Sequence, residues 1–353
     1  MQQANPIIAV DAMGGDSGPE VVIPGAMQAA RQEKLDLVLV GDQEGIENVL
    51  RREKKNGVQV EIIHAPEVVG MNDKPSEALR RKKNSSIQTC FKEVRENRAH
   101  GVVSAGNSGA TLACGMFTLG RIKGIERPAL ASILPTEKKD PLILVDVGAN
   151  VECKPYHLVQ FGLMAEVFAR NVLHIKNPKV GVLTIGEEEG KGNKLVLETI
   201  RMFRMSSMNF VGNVEGRDFF TGKADVVVCD GFVGNIALKL MEGLAVSLSR
   251  ILKAEVKKSL LARLGFLLGI KALRRFGRHI DYAEYGGAPL LGLNGIGIVC
   301  HGSSNSKAIT NAVLMAGEFI RNQANEHLIN GLGANQELSR FGKKTLPGRQ
   351  LSG

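Results

Sequence analysis

The sequence predicts an α/β protein: a Rossmann-like α/β/α sandwich built on a mostly parallel sheet. Short apolar, β-branched runs recur along its 353 residues, and each run ends in a loop rich in glycine and small polar residues. Each of these loops is followed by a helical stretch. Continuous apolar runs are typical of strands buried on both faces of a parallel sheet, and strands that alternate with helices form right-handed βαβ units.

Seven strands are predicted in this way. They cover residues 7–10, 37–40, 101–103, 142–147, 179–185, 225–229 and 297–300. We expect one α/β/α domain over residues 6–330, followed by a flexible basic tail over residues 331–353. Ligands of such sheets bind outside the carboxyl ends of the strands, so we expect a composite site made of loops from distant parts of the chain.

The composition excludes several classes of protein. Apolar residues make up 44% and charged residues 23% of the chain, which is ordinary for a globular protein and not for a disordered one. Five cysteines without a CxxC pair predict buried, reduced thiols rather than a disulfide framework. The N-terminus does not resemble a secretory signal, and no window of about 18 uninterrupted apolar residues occurs. We therefore expect a cytoplasmic protein that does not span a membrane.

The basic residues are concentrated in two segments. The formal net charge is +9, from 45 basic and 36 acidic side chains. Residues 250–279 contain nine lysines and arginines against one acid, and residues 340–349 contain four without an acid. The rest of the chain is slightly acidic, which argues against a nucleic-acid-binding protein with a broad basic face. One basic element favours contact with a membrane surface or an acidic partner.

Candidate site residues lie in the loops that follow the predicted strands. Glycines there let the backbone approach a ligand closely, and free N–H groups at the start of a helix hold anions. The candidates are Asp11, Gly14, Gly15, Asp16, Gly106, Asn107, Ser108, Gly109, Asp146, Asn150, Lys191, Gly192, Asn193, Asp230, Gly231, Gly234, Asn235 and His301.

Several of these residues have a purely structural alternative. Asn107 and Ser108 either help to bind an anion or cap a helix, and Asn235 is either a cap or an amide donor to a reacting carbonyl. Lys191 is either a surface lysine or the cation that stabilises a small oxyanion, and His301 is either a site residue or a loop residue. The chain lacks a GxGxxG fingerprint, a Walker A motif and clustered metal ligands, so we expect no nucleotide cofactor and no metal.

Residues 246–278 combine apolar positions at helical spacing with many cations. This pattern predicts a hairpin of two amphipathic helices joined by a tip over residues 265–269. The tip is expected to dip into the interfacial layer of an anionic membrane through its three apolar residues, Phe266, Leu267 and Leu268. The alternative is that the helix pair serves dimer packing alone.

The strand-end loops, taken in order, resemble those of the PlsX-type phosphate acyltransferases of bacterial phospholipid synthesis. The resemblance covers roughly residues 7–325 without interruption, and a set of motifs this long is far more specific than any single piece. The matching motifs are IAVDAMGGD (8–16), RRKKNSS (80–86), SAGNSGA (104–110), GRIKGIERPALA (120–131), DVGAN (146–150), KGN (191–193), FVGNVEGRD (210–218), ADVVVCDGFVGN (224–235), EYGGAPLLGL (284–293) and HGSSN (301–305).

The resemblance implies transfer of a fatty acyl group from acyl carrier protein to inorganic phosphate, which reversibly gives acyl phosphate. It also implies a homodimer, a fold related to phosphotransacetylases and isocitrate-type dehydrogenases, and peripheral attachment to the membrane. The family is associated with a downstream membrane acyltransferase that consumes acyl phosphate for phospholipid synthesis.

This chemistry needs little from the protein beyond proximity and stabilisation of the tetrahedral oxyanion, because phosphate is a competent nucleophile and a thioester is an activated acyl donor. We expect Lys191 to act on phosphate and the developing charge, and Asn235 to contact the thioester carbonyl. Acyl carrier proteins are acidic, so we expect a basic docking patch. The candidates for that patch are the segment 250–278 and the run Arg80, Arg81, Lys82 and Lys83.

Three rival interpretations differ in class. The nearest rival is a covalent acyl-enzyme route through Ser108 or Cys229. An NAD-dependent decarboxylating dehydrogenase of related fold would need a carboxylate trio for Mg²⁺ and an adenosine site. A membrane-scaffolding module without enzymatic activity would leave the polar strand-end loops unexplained.

Overall fold

The computed structural model describes residues 5–280 and 285–334. Its centre is an eleven-stranded sheet in the order β3-β2-β1-β4-β11-β10-β5-β6-β9-β7-β8. The strands are β1 Ile7–Asp11, β2 Asp36–Gly41, β3 Val60–His64, β4 Gly101–Ser104, β5 Ala129–Leu134, β6 Leu142–Val145, β7 Val180–Leu183, β8 Phe210–Val214, β9 Val226–Val228, β10 Ala288–Leu291 and β11 Ile296–Val299.

Helices alternate with most of these strands. Within the described ranges the α-helices are α1 Pro19–Glu33, α2 Gln43–Leu50, α3 Pro75–Arg81, α4 Ser86–Arg95, α5 Ser108–Leu119, α6 Pro155–Asn171, α7 Lys194–Arg204, α8 Gly231–Lys258, α9 Leu260–Leu268, α10 Ile270–Ile280, α11 Ser306–Arg321 and α12 Ala324–Ala334.

The helices pack on both faces of the sheet. In β1, Ile8 and Val10 join the apolar core beneath α1 and α11, whereas Ala9 joins a second core beneath α4 and α5. β6 alternates in the same way between α6 and the first turns of α8. Successive side chains of a strand point to opposite faces, so this division of the core confirms the predicted α/β/α sandwich.

The sheet consists of two parallel parts that run in opposite directions. β1, β2, β3, β4 and β11 are parallel to one another, and so are β6, β7, β8 and β9. The direction reverses because β10 pairs antiparallel with both β11 and β5, and β5 pairs antiparallel with β6. A mostly parallel sheet was expected, but the reversal was not.

All seven predicted strands are present, and four further strands escaped prediction. β3 and β8 lie at the two ends of the sheet and are only half buried, so they lack a continuous apolar run. β5 and β10 are the antiparallel strands of the centre and do not lead directly into a helix. The βαβ pattern therefore does not detect them.

The predicted helical hairpin differs from the structure in its boundaries. α8 begins at Gly231, well before residue 246, and the next break falls at Ser259, which caps α9. The predicted break at Gly265 is wrong because this glycine lies inside α9, whereas the break at Gly269 is confirmed. The expected tip is therefore the last turn of a short helix, and a two-helix hairpin is not confirmed.

The predicted end of the domain falls inside a helix. α12 continues from Ala324 to Ala334 and packs against α6, four residues beyond the expected boundary at 330. The remainder of the predicted tail, residues 335–353, lies outside the described residues.

Candidate active site

The strand directions divide the candidate site residues into two groups. The first group follows β1, β4 and β11 at what we call the β1 edge: Asp11, Gly14, Gly15, Asp16, Gly106, Asn107, Ser108, Gly109 and His301. The second follows β6, β9 and β7 at the opposite edge, the β6 edge: Asp146, Asn150, Lys191, Gly192, Asn193, Asp230, Gly231, Gly234 and Asn235. No hydrogen bond joins the two groups within residues 5–280 and 285–334, so a single composite site stays a prediction.

Asp146 organises the loop that follows β6. Its buried carboxylate accepts hydrogen bonds from the backbone N–H groups of Leu130, Ala149 and Asn150 at 2.6–3.1 Å. Burial raises the pKa of the Asp146 carboxyl above its ordinary value, while these hydrogen bonds oppose the shift. The Asn150 amide donates to Asp146 at 2.9 Å and to the Pro128 carbonyl at 2.8 Å. Both side chains therefore hold the loop in place.

Two glycines allow α8 to begin directly against this loop. A Cβ on Gly231 would lie 2.7 Å from the Asn150 carbonyl oxygen, and a Cβ on Gly234 would overlap the Asp146 carbonyl oxygen. The Gly231 N–H also donates to the Asn150 carbonyl at 2.8 Å. No other residue type has room here, so these glycines fix where the first turn of α8 lies.

Asn235 lies in that first turn, beside the loop after β6. Its half-buried amide is 3.7–3.8 Å from the position that a Cβ would take on Gly148. The helix cap is Asp230, whose carboxylate accepts hydrogen bonds from the N–H groups of Phe232 and Val233 at 3.0 Å. Asn235 is therefore not the cap, and its amide makes no hydrogen bond to any residue that the structure describes.

Lys191 is exposed in the loop between β7 and α7, and its ammonium has no ion-pair partner in the described part of the chain. Asn213 of β8 holds this loop, because its amide donates to the carbonyls of Gly186 at 3.0 Å and Glu188 at 2.9 Å. Asn193 caps α7 by accepting a hydrogen bond from the N–H three residues on, at 2.9 Å. Asn213 was not among the predicted site residues, although it lies within the motif at 210–218.

The acidic stretch before Lys191 is largely compensated by other cations. Glu187 pairs with Lys223 at 2.8 Å, and Glu189 pairs with Arg204. Gly192, directly after the lysine, has a φ of 127°, which other residue types rarely adopt. Two of the three acids that precede Lys191 are thus already engaged with other cations.

The β1 edge is built around the buried carboxylate of Asp11. It accepts a hydrogen bond from the Ser104 hydroxyl at 2.7 Å, and burial raises its pKa above the ordinary value against hydrogen bonds from Ser86 and Ser104. The Ser104 hydroxyl in turn accepts from the Gly106 N–H at 3.0 Å. A Cβ on Gly14 would lie 2.8 Å from the Gly106 nitrogen, so the two glycine loops touch backbone to backbone.

The remaining residues of the β1 edge are tied to neighbouring loops. Gly15 has a φ of 84°, and the Asp16 N–H donates to the Gly302 carbonyl at 2.8 Å. A Cβ on Gly109 would lie 2.8 Å from Pro75 at the start of α3. These glycines serve close packing between loops.

Three polar residues of this edge have different environments. Asn107 caps α5, and its amide donates to the carbonyls of Met71 at 2.9 Å and Asp73 at 3.0 Å, so it is engaged within the protein. Ser108 is exposed, and its hydroxyl has no hydrogen-bond partner among the described residues. The exposed His301 bonds through Nδ1 to the Ser303 hydroxyl at 2.7 Å.

The basic run at 80–83 is only partly available to a partner. The Lys82 ammonium donates to Asp73 at 2.6 Å and to the Val68 carbonyl at 2.7 Å, so it anchors the segment internally. Its three neighbours are exposed cations: Arg80, Arg81 and Lys83.

The cysteines of the described chain are free thiols. Burial raises the pKa of Cys229 well above its ordinary value and that of the half-buried Cys153 to about 12. Both thiols are therefore protonated at neutral pH. Among the described residues no group of three or more His, Cys, Asp or Glu side chains is placed to hold a metal ion.

Comparison with known proteins assigns the family. The sequence model of a family described as fatty acid synthesis protein matches residues 7–327. A phosphate acyltransferase of Nitratidesulfovibrio vulgaris is 60% identical over 96% of this chain and 98% of that protein, and one of Lawsonia intracellularis is 58% identical over 95% and 97%. The chain belongs to the PlsX-type phosphate acyltransferases. As a PlsX-type protein it is an acyltransferase of lipid biosynthesis.

Solved structures show that the PlsX-type chain shares its fold with phosphotransacetylases. A phosphotransacetylase of Streptococcus pyogenes superposes with a TM-score of 0.61 over 91% of this chain and 94% of that chain, at 17% identity. A phosphotransacetylase of Staphylococcus aureus gives a TM-score of 0.59 at 15% identity. The predicted relation to the phosphotransacetylase fold is confirmed.

Proposed function

We propose that the protein transfers a fatty acyl group from acyl carrier protein to inorganic phosphate by direct attack on the thioester, reversibly forming acyl phosphate for phospholipid synthesis. A phosphate oxygen bonds to the carbonyl carbon, the carbon–sulfur bond breaks, and the carrier thiol leaves with a proton. The observation that carries this proposal is the pairing of an unpartnered amide, Asn235, with an unpartnered ammonium, Lys191, at the β6 edge of a phosphate acyltransferase.

Each of the two groups can stabilise the negative charge that develops on the thioester carbonyl oxygen during the reaction. The Asn235 amide can donate to the thioester carbonyl oxygen as it gains negative charge, and Lys191 adds positive charge nearby. Their loops follow β9 and β7, which are adjacent strands about 5 Å apart. The Asp146 network and the amide of Asn213 position these two loops before substrate arrives, so little reorganisation is needed during reaction.

The environment of the rival nucleophiles favours direct attack. Cys229 is buried and protonated, whereas a nucleophilic cysteine needs a thiolate. Ser108 has no general base within hydrogen-bond distance among the described residues. The covalent route therefore lacks an activated group at either candidate position.

The proposed substrates can be tested by analysing the product. With a fatty acyl carrier thioester and ¹⁸O-labelled phosphate, we expect electrospray to detect acyl phosphate that retains all four labelled oxygens. Omission of phosphate should abolish product, because water is not the acceptor. Free fatty acid as the sole product in the presence of phosphate would refute the proposal.

We propose that the acidic carrier docks through exposed cations beside the loops of the β1 edge. The cations Arg80, Arg81 and Lys83 are exposed at the β1 edge. Lys82 anchors this segment through its ion pair with Asp73. A patch of this kind steers an acidic partner and fixes its approach.

We propose that the protein is a cytoplasmic homodimer. α8 carries exposed apolar side chains at a spacing of four residues: Leu240, Leu244 and Leu248. Such a stripe on an exposed helix is typical of helix packing between two copies of a chain.

α8 is also long and apolar enough, by length and composition alone, to cross a membrane. Its first turns, however, pack on the sheet through Ala237, Leu238 and Met241. This packing favours a protein that attaches to the membrane surface over one that spans the membrane.

We propose that α9 is the membrane contact. Leu267 and Leu268 are 65% and 89% exposed, and α9 buries none of its side chains. Exposed cations precede and follow it, among them Lys253, Lys257 and Lys271, and each is worth about 1 kcal/mol near an anionic surface. Acyl phosphate would thereby form where a membrane acyltransferase can consume it.

The membrane contact predicts a selective loss of liposome binding. The double change Leu267→Glu/Leu268→Glu should reduce sedimentation with anionic liposomes at least about tenfold, because it replaces apolar insertion by repulsion. Dimerisation and activity in solution should be retained. Met205→Glu, which adds charge at another exposed apolar position, is the matched control and should bind like the parent. Unchanged liposome binding by the double variant would show that α9 is not the anchor.

A further inference from the structure

Arg127 lies at the β6 edge although it does not follow any of the strands that form this edge. It precedes β5, which begins at Ala129 and pairs antiparallel with β6. The start of β5 therefore lies beside the carboxyl end of β6. Along the strand order β5-β6-β9-β7, this places Arg127 at one end of the row, Lys191 at the other, and Asn235 between them.

The backbone on both sides of Arg127 is fixed to the same edge. The Glu126 N–H donates to the Gln160 side chain of α6 at 3.0 Å, and the Gln160 amide donates back to the Gly124 carbonyl at 2.7 Å. The Pro128 carbonyl accepts from the Asn150 amide at 2.8 Å. The segment is therefore held to α6 on one side and to the Asp146 loop on the other.

The guanidinium itself is unengaged. Arg127 is exposed, and it has no hydrogen bond or ion pair within residues 5–280 and 285–334. Its charge nevertheless acts on the β6 edge: burial lowers the pKa of His157 below its ordinary value, and Arg127 lowers it further. Burial raises the pKa of the Cys153 thiol, and the positive charge of Arg127 partly offsets this increase. A free cation on a rigid support beside the candidate catalytic loops suits an anionic ligand.

We propose that Arg127 binds the inorganic phosphate that attacks the thioester, and that Lys191 is thereby left to stabilise the developing oxyanion. This inference rests on the proposed function and divides the roles of its two cations. The planar guanidinium donates two parallel hydrogen bonds to two phosphate oxygens, a geometry that an ammonium does not offer. β5 and β7 are three strand spacings apart, about 14 Å, so two long side chains can reach inward to one substrate between them.

Steady-state kinetics separates phosphate binding from the chemical step. Arg127→Gln should raise the KM for inorganic phosphate at least about tenfold, with a much smaller change in kcat at saturating phosphate and in the KM for the acyl carrier. Arg127→Lys should recover part of the affinity, since it keeps the charge but loses the fork. Calorimetric titration with inorganic phosphate should rank the affinities in the same order, with the parent highest, Arg127→Lys next and Arg127→Gln lowest. Arg51→Gln, at the exposed arginine that follows the last residue of α2, is the matched control and should behave like the parent.

The outcomes distinguish this inference from the proposed function. An unchanged KM for phosphate in Arg127→Gln, or an increase confined to the KM for the acyl carrier, would overturn the assignment while leaving acyl transfer to phosphate intact. A parent enzyme that forms no acyl phosphate would instead refute the proposed function, and the titration with phosphate alone would still test Arg127. Circular dichroism of each variant controls for misfolding.

Discussion

Replacing Lys191 with alanine is expected to lower kcat for acyl-phosphate formation by about 100- to 1000-fold, because removing one donor or charge from a developing oxyanion costs about 3–4 kcal/mol. The side chain is exposed and unpaired among the described residues, so the folded state should be unaffected. Lys194→Ala is the matched control, since this lysine is also exposed, begins α7 and lies three residues farther along. It should retain activity within about twofold of the parent.

Two further observations would refine the interpretation of Lys191. Lys191→Arg should restore only part of the rate, because the charge returns with different geometry. A Lys191→Ala enzyme with unchanged kcat but a raised KM for phosphate would move this residue from the chemical step to phosphate binding. Activity within threefold of the parent in Lys191→Ala would remove it from the catalytic site.

Replacing Gly234 with alanine is expected to destabilise the fold by about 3 kcal/mol and to reduce activity. The new Cβ would overlap the Asp146 carbonyl oxygen and would lie 2.9 Å from the Cys229 sulfur, so α8 must shift away from the sheet. That shift displaces Asn235, the next residue along the helix. Urea denaturation at fixed protein concentration measures the change in the free energy of unfolding, and the acyl-phosphate assay measures the loss of activity.

The same helix offers the matched control for this substitution. Gly243 is exposed in α8, and apart from the backbone of its own helix a Cβ there would meet no atom of the described residues within 4 Å. Gly243→Ala should therefore stabilise the helix by about 0.5–1 kcal/mol, because alanine has less conformational freedom to lose than glycine. If Gly234→Ala proved as stable as Gly243→Ala, the close approach of α8 to Asp146 would not be a constraint of the fold.

The fold could be predicted from the sequence as far as its buried parallel strands. Runs such as those of β1, β4 and β6 are apolar on both faces and end in polar loops, so periodicity and turn chemistry locate them. The reversal of direction at β5 could not be predicted, because an apolar run does not encode which way its neighbour runs. As a consequence, the division of the strand-end loops between two edges of the sheet was not expected, and a single composite site stays a prediction.

The candidate site was predicted unevenly for the same reason. Lys191 and Asn235 follow strands directly and were found by their loops. Arg127 and Asn213 were not singled out, since Arg127 precedes its strand and Asn213 lies within one. The polar atoms of Asp146, Asn150 and Asn107 hold loops in place, which residue type alone does not reveal, and substrate binding by these residues stays a prediction.

The intact mass of the enzyme after mixing with acyl carrier thioester tests the central claim, direct attack of phosphate, most directly. Without phosphate, we predict that the mass of the enzyme stays unchanged, because no side chain accepts the acyl group. With phosphate added, acyl phosphate should form at once while the enzyme mass again stays unchanged. An acyl adduct that accumulates without phosphate, and disappears when phosphate is added as acyl phosphate forms, would contradict direct attack and establish a covalent intermediate.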